Sequence, residues 1–150
     1  METPKSEIKI EQITPYLTHK LRRDVLYPDM KIFEMEMEED ADGIHFGAFY
    51  ENKLVGVVSL FNKGESFQFR KLAIEPEYQH KRIGSSLLTY ITAYAQQNGG
   101  TIIWCNARSS AIGFYLKANF IQTGKLFNKN GIDYEILEKA IIPSSIHPAK

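Results

Sequence analysis

Residues 67–88 read FQFRKLAIEPEYQHKRIGSSLL, and the fold turns on how they are parsed. The stretch opens as a strand and closes as a helix. Its large apolar residues fall at Phe67 and Phe69, then at Leu72 and Ile74, so their parity switches from odd to even. Side chains alternate across a strand with period two, and a regular strand cannot put both pairs on one face. Either both faces are buried, or one extra residue is inserted near Arg70–Lys71 as a bulge. The bulge is the reading adopted: it splays a strand from its neighbour, leaves backbone groups unpaired, and is common beside active sites. Past Pro76, Ile83, Leu87, Leu88, Ile91 and Ala95 recur at helical spacing as far as Gly99–Gly100, which supply a stop signal.

Between strand and helix lies Gln79-His80-Lys81-Arg82-Ile83-Gly84-Ser85. A helix amino end presents unpaired N–H groups and a partial positive charge, which suits phosphate oxygens. Cationic side chains surround this end, and Gly84 lets a ligand approach the backbone with no Cβ in the way. The loop reads as a pyrophosphate cradle. As a lone feature, a basic loop capping a helix explains it better than a phosphate site does. Neither the Walker pattern nor the dinucleotide fingerprint is present.

Working outward, residues 44–50 (IHFGAFY) and 54–61 (LVGVVSLF) form two strands joined at hairpin spacing by Glu51-Asn52-Lys53. A further turn over Asn62–Ser66 leads into the fourth strand. Residues 7–13 alternate as a first strand, and a helix follows from Thr14, with Thr14 as cap and Pro15 in the first turn, ending at Tyr27-Pro28-Asp29. Residues 31–42 (KIFEMEMEEDAD) read as a solvated acidic connector. On the far side, residues 101–105 (TIIWC) form an apolar strand buried on both faces. A helix over 110–118 is capped by Ser109 or Ser110 and ends in left-handed Asn119. Strands at 120–127 and 132–138 close the order. The tail from about residue 143 is expected to be loose, or to pair with a partner chain in a homodimer. The sum is one α/β (α+β) domain: a mixed central sheet of six to seven strands, with helices on both faces and a bulged, splayed fourth strand.

Composition bounds the function. The chain has 150 residues, 43% of them apolar and 12% aromatic, enough for a core in one domain. Eighteen basic residues balance eighteen acidic ones, so no global field draws the chain to nucleic acid or anionic membrane. No apolar run is long enough to span a bilayer, and METPKSEIKI carries no leader-like apolar segment, so a cytoplasmic location is expected. The single cysteine, Cys105, makes no internal disulfide, and His19, His80 and His147 are too scattered for a metal site. No metal is expected.

The order of bulged strand, anion loop, long helix, buried strand and a helix bearing Phe114-Tyr115 resembles the GNAT superfamily of N-acetyltransferases. Residues 67–88 are similar to its acetyl-CoA-binding motif, whose loop has the form Q/R-x-x-G-x-G/A; Gln79 and Gly84 match its outer positions. Residues 103–120 (IWCNARSSAIGFYLKANF) resemble the motif that follows, with Ala111, Tyr115 and Phe120 matching. LRRDVLYP (21–28) and DGIHFGAFYENKLVGVVSL (42–60) resemble the opening of a subgroup of largely unassigned substrate. Arg82 stands where the loop usually has its first glycine, and Asn119 where the later motif has one. Arg108 stands where many members carry asparagine, a part Asn106 would take over.

The resemblance implies acetyl-CoA as cosubstrate, its pantetheine arm pairing with main chain at Leu72, Ala73 and Ile74 and its pyrophosphate on Gln79, His80, Lys81, Arg82, Ile83, Gly84 and Ser85. The acceptor, a primary amine of a small molecule or peptide, attacks the thioester directly, so Cys105 is a core thiol and not a nucleophile. Tyr115 matches the family's general acid, and a phenol can protonate a departing thiolate. A backbone N–H near Leu72 would hold the oxyanion. For the base, Glu75 ends the bulged strand, while Glu34, Glu36, Asp40 and Asp42 come from the connector. His45 reads as a structural histidine. The carboxylates suit a cationic amine; Arg70 and Arg22-Arg23 suit an acceptor bearing a carboxylate. Two other classes remain: a non-catalytic acyl-CoA-binding domain of the same fold, and a nucleic-acid module using Gln79–Arg82 and Arg70-Lys71. Charge balance and the lack of a basic-aromatic face weigh against the second.

Overall fold

The fourth strand, β4, runs Ser66–Ile74 in the computed structural model, which describes residues 7–143. Both options posed by its parity are realised. Lys71 takes φ +59, the left-handed conformation of an inserted residue, in the middle of the strand. Beyond it Ala73 and Ile74, successive residues, are covered on opposite faces. Ala73 packs with Leu21 and Val57, whereas Ile74 lies against the space beside Gly56, where Ile83 and Leu87 also converge.

Around β4 the order is β1 (Ile8–Ile13), α1 (His19–Leu21), β2 (Ile44–Tyr50), β3 (Lys53–Lys63), β4, α2 (Ile83–Gln97), β5 (Ile102–Arg108), α3 (Ile112–Lys117), β6 (Ile121–Lys129) and β7 (Ile132–Ala140). The seven strands form a mixed sheet in the order β1-β2-β3-β4-β5-β7-β6. Contacts divide the chain into two compact units, one of residues up to Leu60 with Lys71–Tyr90, the other of Phe61–Arg70 with the residues from Ile91 onward.

In the first unit β1, β2 and β3 are antiparallel, and Glu51 and Asn52 join β2 to β3 with φ +49 and +67, as a tight hairpin turn requires. Val57 faces Leu21 while Gly56 faces Ile83 and Leu87. Neighbours on a strand point opposite ways, so the amino-terminal helical stretch covers one face of β3 and the start of α2 the other. That stretch is continuous, but it changes pitch: 3-10 over Pro15–Thr18, α in α1, π over Arg22–Leu26. Thr14 makes no side-chain cap, contrary to expectation; Thr18 Oγ1 donates to the Pro15 carbonyl instead. The connector is two 3-10 turns, Ile32–Met35 and Glu38–Asp42. It is not wholly solvated, because Met35 and Asp40 are buried.

In the second unit β4 pairs in parallel with β5 from Ser66↔Ile102 to Gln68↔Trp104, and β5 continues through Arg108 with β7 antiparallel beside it. Ile103, Cys105 and Ala107 are buried, while Ile102 and Trp104 are only half-covered, so β5 alternates and is not sealed on both faces. Neither Ser109 nor Ser110 caps a helix through its side chain; a 3-10 turn over Ser109–Ala111 precedes α3. Asn119 is left-handed, φ +72, as its place after α3 predicts. The expected tail lies, from residue 144, outside the described residues.

Candidate active site

The first unit carries a continuous run from the left-handed Lys71 to the first turns of α2. Leu72 and Ile74 are half-buried, and Ala73 is buried among Leu21 and Val57, so Ala73 has only its backbone to offer a ligand. The Ile74 carbonyl already accepts the Gln79 side-chain amide at 2.9 Å, which folds the loop back on the strand end. A carbonyl has a second lone pair, and that one is not committed by this bond.

After a 3-10 turn over Pro76–Tyr78, His80 (φ +64) and Arg82 (φ +67) are both left-handed. Arg82 therefore holds the backbone shape that a glycine would adopt freely at this loop position. Its carbonyl takes the Ser86 N–H at 3.0 Å, starting the helix, which leaves the amides of Ile83, Gly84 and Ser85 in the orphan first turn. The Ile83 side chain is core, so it too offers backbone alone. Lys81 and Arg82 are exposed. Beside them opens a hollow of about 370 Å³ lined by Arg82, Ser85, Ser86, Thr89 and Tyr90. One cation and four hydroxyls on one helix face suit an anionic ligand with hydrogen-bonding groups. Ser86, Thr89 and Tyr90 escaped the sequence reading; their spacing of four, seven and eight from Arg82, one face of a helix, was the available signal.

Glu75 carboxylate accepts Lys53 Nζ at 2.9 Å, and Lys53 lies 5.4 Å from the Tyr78 ring centroid. The hydrogen bond to Glu75 raises the Lys53 pKa above its ordinary value. Glu75 is thus held in an ion pair at the strand end. One connector candidate, Asp40, looks different in space. Asp40 receives both Arg22 guanidinium nitrogens at 2.9 Å and the Met37 amide at 3.0 Å, and the pair is nearly solvent-free. Arg22 also donates to the Met35 carbonyl and to Ser59 Oγ. His45 Nε2 donates to the Asp40 carbonyl at 2.9 Å, so its Nδ1 is left to accept from Ser59 Oγ at 2.6 Å. His45 is structural, as its sequence context predicts; Asp40 and Arg22 form its scaffold and face no solvent.

A contact with no local signal in the sequence lies at the bulge. Lys71 Nζ donates to the Tyr27 hydroxyl, which ends the amino-terminal helical stretch. Tyr27 had been legible only as a helix stop.

In the second unit Tyr115 is buried on α3 against the rings of Phe69, Phe114 and Phe120, at centroid separations of 5.6, 5.1 and 6.0 Å. Burial pushes its phenol well above the ordinary value, with Cys105 adding to the shift and Arg108 opposing it. Cys105 is buried, and burial pushes its thiol up to about 12, which suits a core thiol. Asn106 is exposed on β5, opposite Ile136 of β7. No helix among the described residues is long and apolar enough to cross a membrane.

These features meet a consistent set of known proteins. An uncharacterised N-acetyltransferase of Bacillus subtilis, YitI, is 27% identical over 139 residues, covering 87% of this chain and 93% of that protein. A spermidine N(1)-acetyltransferase of Thermoplasma acidophilum is 27% identical over 134 residues, 86% of this chain and 76% of that protein. A GNAT family acetyltransferase of Elizabethkingia anophelis, solved with acetyl-CoA bound, superposes with a TM-score of 0.70 at 20% identity, covering 91% of this chain and all of that one. The left-handed loop, the interrupted strand before it and the helix after it are accordingly not isolated curiosities: residues 11–140 match the acetyltransferase (GNAT) domain, and the chain belongs to that family of acetyltransferases.

Proposed function

We propose that this chain moves the acetyl group of acetyl-CoA to a primary amine of a small molecule or peptide, by direct attack of the amine on the thioester. The observation that carries the reading is the run Lys71–Ser85, where an interrupted strand feeds a left-handed cationic loop at the start of α2. The pantetheine arm would add as a strand along Leu72, Ala73 and Ile74. The pyrophosphate would lie on the loop from Gln79 through Ser85, on the amides of Ile83, Gly84 and Ser85, with Lys81 and Arg82 supplying charge and the His80 ring a hydrogen bond. The neighbouring hollow of Ser86, Thr89 and Tyr90 extends the polar surface along α2. An acetyl-CoA-bound relative of the same fold and a relative that acts on spermidine support the cosubstrate and the amine class. The chain's own residues supply no covalent intermediate: the amine nitrogen bonds to the carbonyl carbon, a Leu72 N–H steadies the oxyanion, and the sulfur leaves with its electron pair.

Tyr115 is assigned the general acid, protonating that sulfur, and Asn106 a contact to the cosubstrate. Burial keeps the Tyr115 phenol protonated beyond the ordinary range of tyrosine, which holds the proton in place and at the same time makes it a weaker donor to the thiolate. Calorimetry with CoA and acetyl-CoA should show binding of both. Thiol release should then appear with at least one of spermidine, a peptide with a free amino terminus, or an aminoglycoside. Tyr115→Phe should lower kcat by about a hundredfold with CoA affinity little changed. Absence of CoA binding overturns the reading outright. Binding without thiol release for any amine leaves a non-catalytic acyl-CoA-binding domain, and full turnover by Tyr115→Phe removes the acid from Tyr115.

A further inference from the structure

We propose that Tyr27 is the general base of the transfer and that Lys71 poises it, an assignment that rests on the acetyl-transfer reading above. Two residues 44 apart in sequence meet at the strand interruption: Lys71 Nζ donates to the Tyr27 hydroxyl and lies 4.5 Å from its ring centroid. Both side chains are half-buried, removed enough from water for charge to matter and open enough to reach a ligand.

Lys71 makes this contact from a left-handed backbone, φ +59, which a lysine adopts only at a cost and a glycine would adopt freely. A charged residue kept in a strained position inside a strand is the kind of outlier that points to function. Tyr27 is firmly mounted as well. Its N–H is shared by the Arg22 and Arg23 carbonyls at 3.2 Å, closing the π turn, and its own carbonyl accepts the Met30 N–H at 3.0 Å. The next residue after Lys71 is Leu72, whose N–H is assigned to the oxyanion. Tyr27 is thereby brought to the part of β4 where the acceptor nitrogen must arrive.

An ammonium on a phenol oxygen favours the phenolate, and that is the poising assigned to Lys71. Three charged neighbours on the packed elements are engaged elsewhere. Asp24 is held by Lys20 and Arg23, Arg22 by Asp40, and Glu34 of the Ile32–Met35 turn by the Lys31 amide. A phenolate matches the task, because alkylammonium groups and phenols titrate in the same range. In the step, the amine nitrogen forms its bond to the thioester carbon as the carbon–sulfur bond breaks. The nitrogen's proton passes to the Tyr27 oxygen, and the thiolate takes a proton from the acid; water then restores both phenols. Lys71 touches neither reactant and acts as a positioning residue.

The test has a spectroscopic arm and a kinetic arm. The phenolate absorbance of the full chain is titrated for wild type against Tyr27→Phe, and the difference should place Tyr27 about one unit or more below the ordinary 10. Lys71→Gly removes the charge while relieving the backbone, so it folds, and it should return that midpoint to about 10; Lys71→Arg should keep it low. With whichever amine of the panel is turned over, Tyr27→Phe should cut kcat/KM about a hundredfold and abolish the acidic limb of its pH profile. Glu75→Gln should retain that limb. A Tyr27 midpoint at the ordinary value, or a Tyr27→Phe profile like wild type, overturns the proposal. A wild type that releases no thiol while Tyr27 still titrates low overturns acetyl transfer, and the base role with it, without touching the poised phenol itself.

Discussion

Asp40 shows how a single residue's role depends on a partner far away in sequence. From its neighbours it reads as one of a run of solvated acids; in space it lies under Arg22, Ser59 and His45, all from other elements. Burial by itself would push its carboxyl up, but the Arg22 guanidinium and the Met37 amide outweigh burial and hold it below its ordinary value. Arg22 Nε is a buried donor with no partner among the described residues, so the pair already carries an uncompensated cost. Removing one member leaves the other charged and dry, and Asp40→Asn or Arg22→Met should each cost about 3–5 kcal/mol by urea unfolding. The sign with pH follows from the depressed carboxyl. Its contribution is present above the unfolded value near 4 and is lost as pH falls through the lower folded value. Wild type should therefore lose more stability between about pH 5 and pH 2 than Asp40→Asn does. An equal loss in both would remove this pair from the acid response.

At the level of elements, what repeats locally was legible. The α2 periodicity and its glycine stop are the clearest case. Gly99 is left-handed, φ +82, and the Gly100 N–H reaches the Ala95 carbonyl at 2.7 Å while Gly99 N–H reaches Gln96, the two bonds of a Schellman ending. Gly99→Ala has open space for its methyl but the wrong backbone, and should cost about 1 kcal/mol. Gly100→Ala should cost more, since its Cβ would lie 2.8 Å from the Ala95 carbonyl oxygen and 2.8 Å from the Phe67 ring. Paired thermal melts rank the two, and the reverse order would mean that the ring, not the backbone, absorbs the strain. The hairpin of β2 and β3 and the parity break of β4 were equally readable, because each is written within a few residues. The pitch changes of Pro15–Leu26 were not, nor was the contact of Tyr27 with Lys71. Those answer to packing between segments, and no local pattern records it. The cationic loop from Gln79 to Ser85 was visible as chemistry, but the left-handed turns at His80 and Arg82 that shape it were not, since neither residue type advertises them.

For the whole molecule, eighteen basic and eighteen acidic residues leave no net charge, so attraction of an anionic cosubstrate would have to be local, and the proposed reading puts it at the loop. Exposed charges act within a Debye length of about 8–10 Å at ordinary ionic strength. CoA affinity should therefore fall with added salt, and the fall should vanish when Lys81 and Arg82 are both replaced by alanine. That double variant should lose about 1.5 kcal/mol or more of binding at low salt, roughly tenfold, if each cation meets a phosphate oxygen. Arg82 needs a second variant, because its side chain and its backbone carry separate burdens. Arg82→Ala removes the charge but keeps a Cβ at φ +67; Arg82→Gly removes the charge and fits the backbone. If the loop binds through charge, both variants weaken CoA equally and differ only in thermal stability. If it binds through the amides that the left-handed turn presents, Arg82→Gly retains affinity that Arg82→Ala loses. Calorimetry at two salt concentrations separates the cases, and a double variant whose affinity and salt slope both equal wild type would remove the phosphate site from this loop altogether.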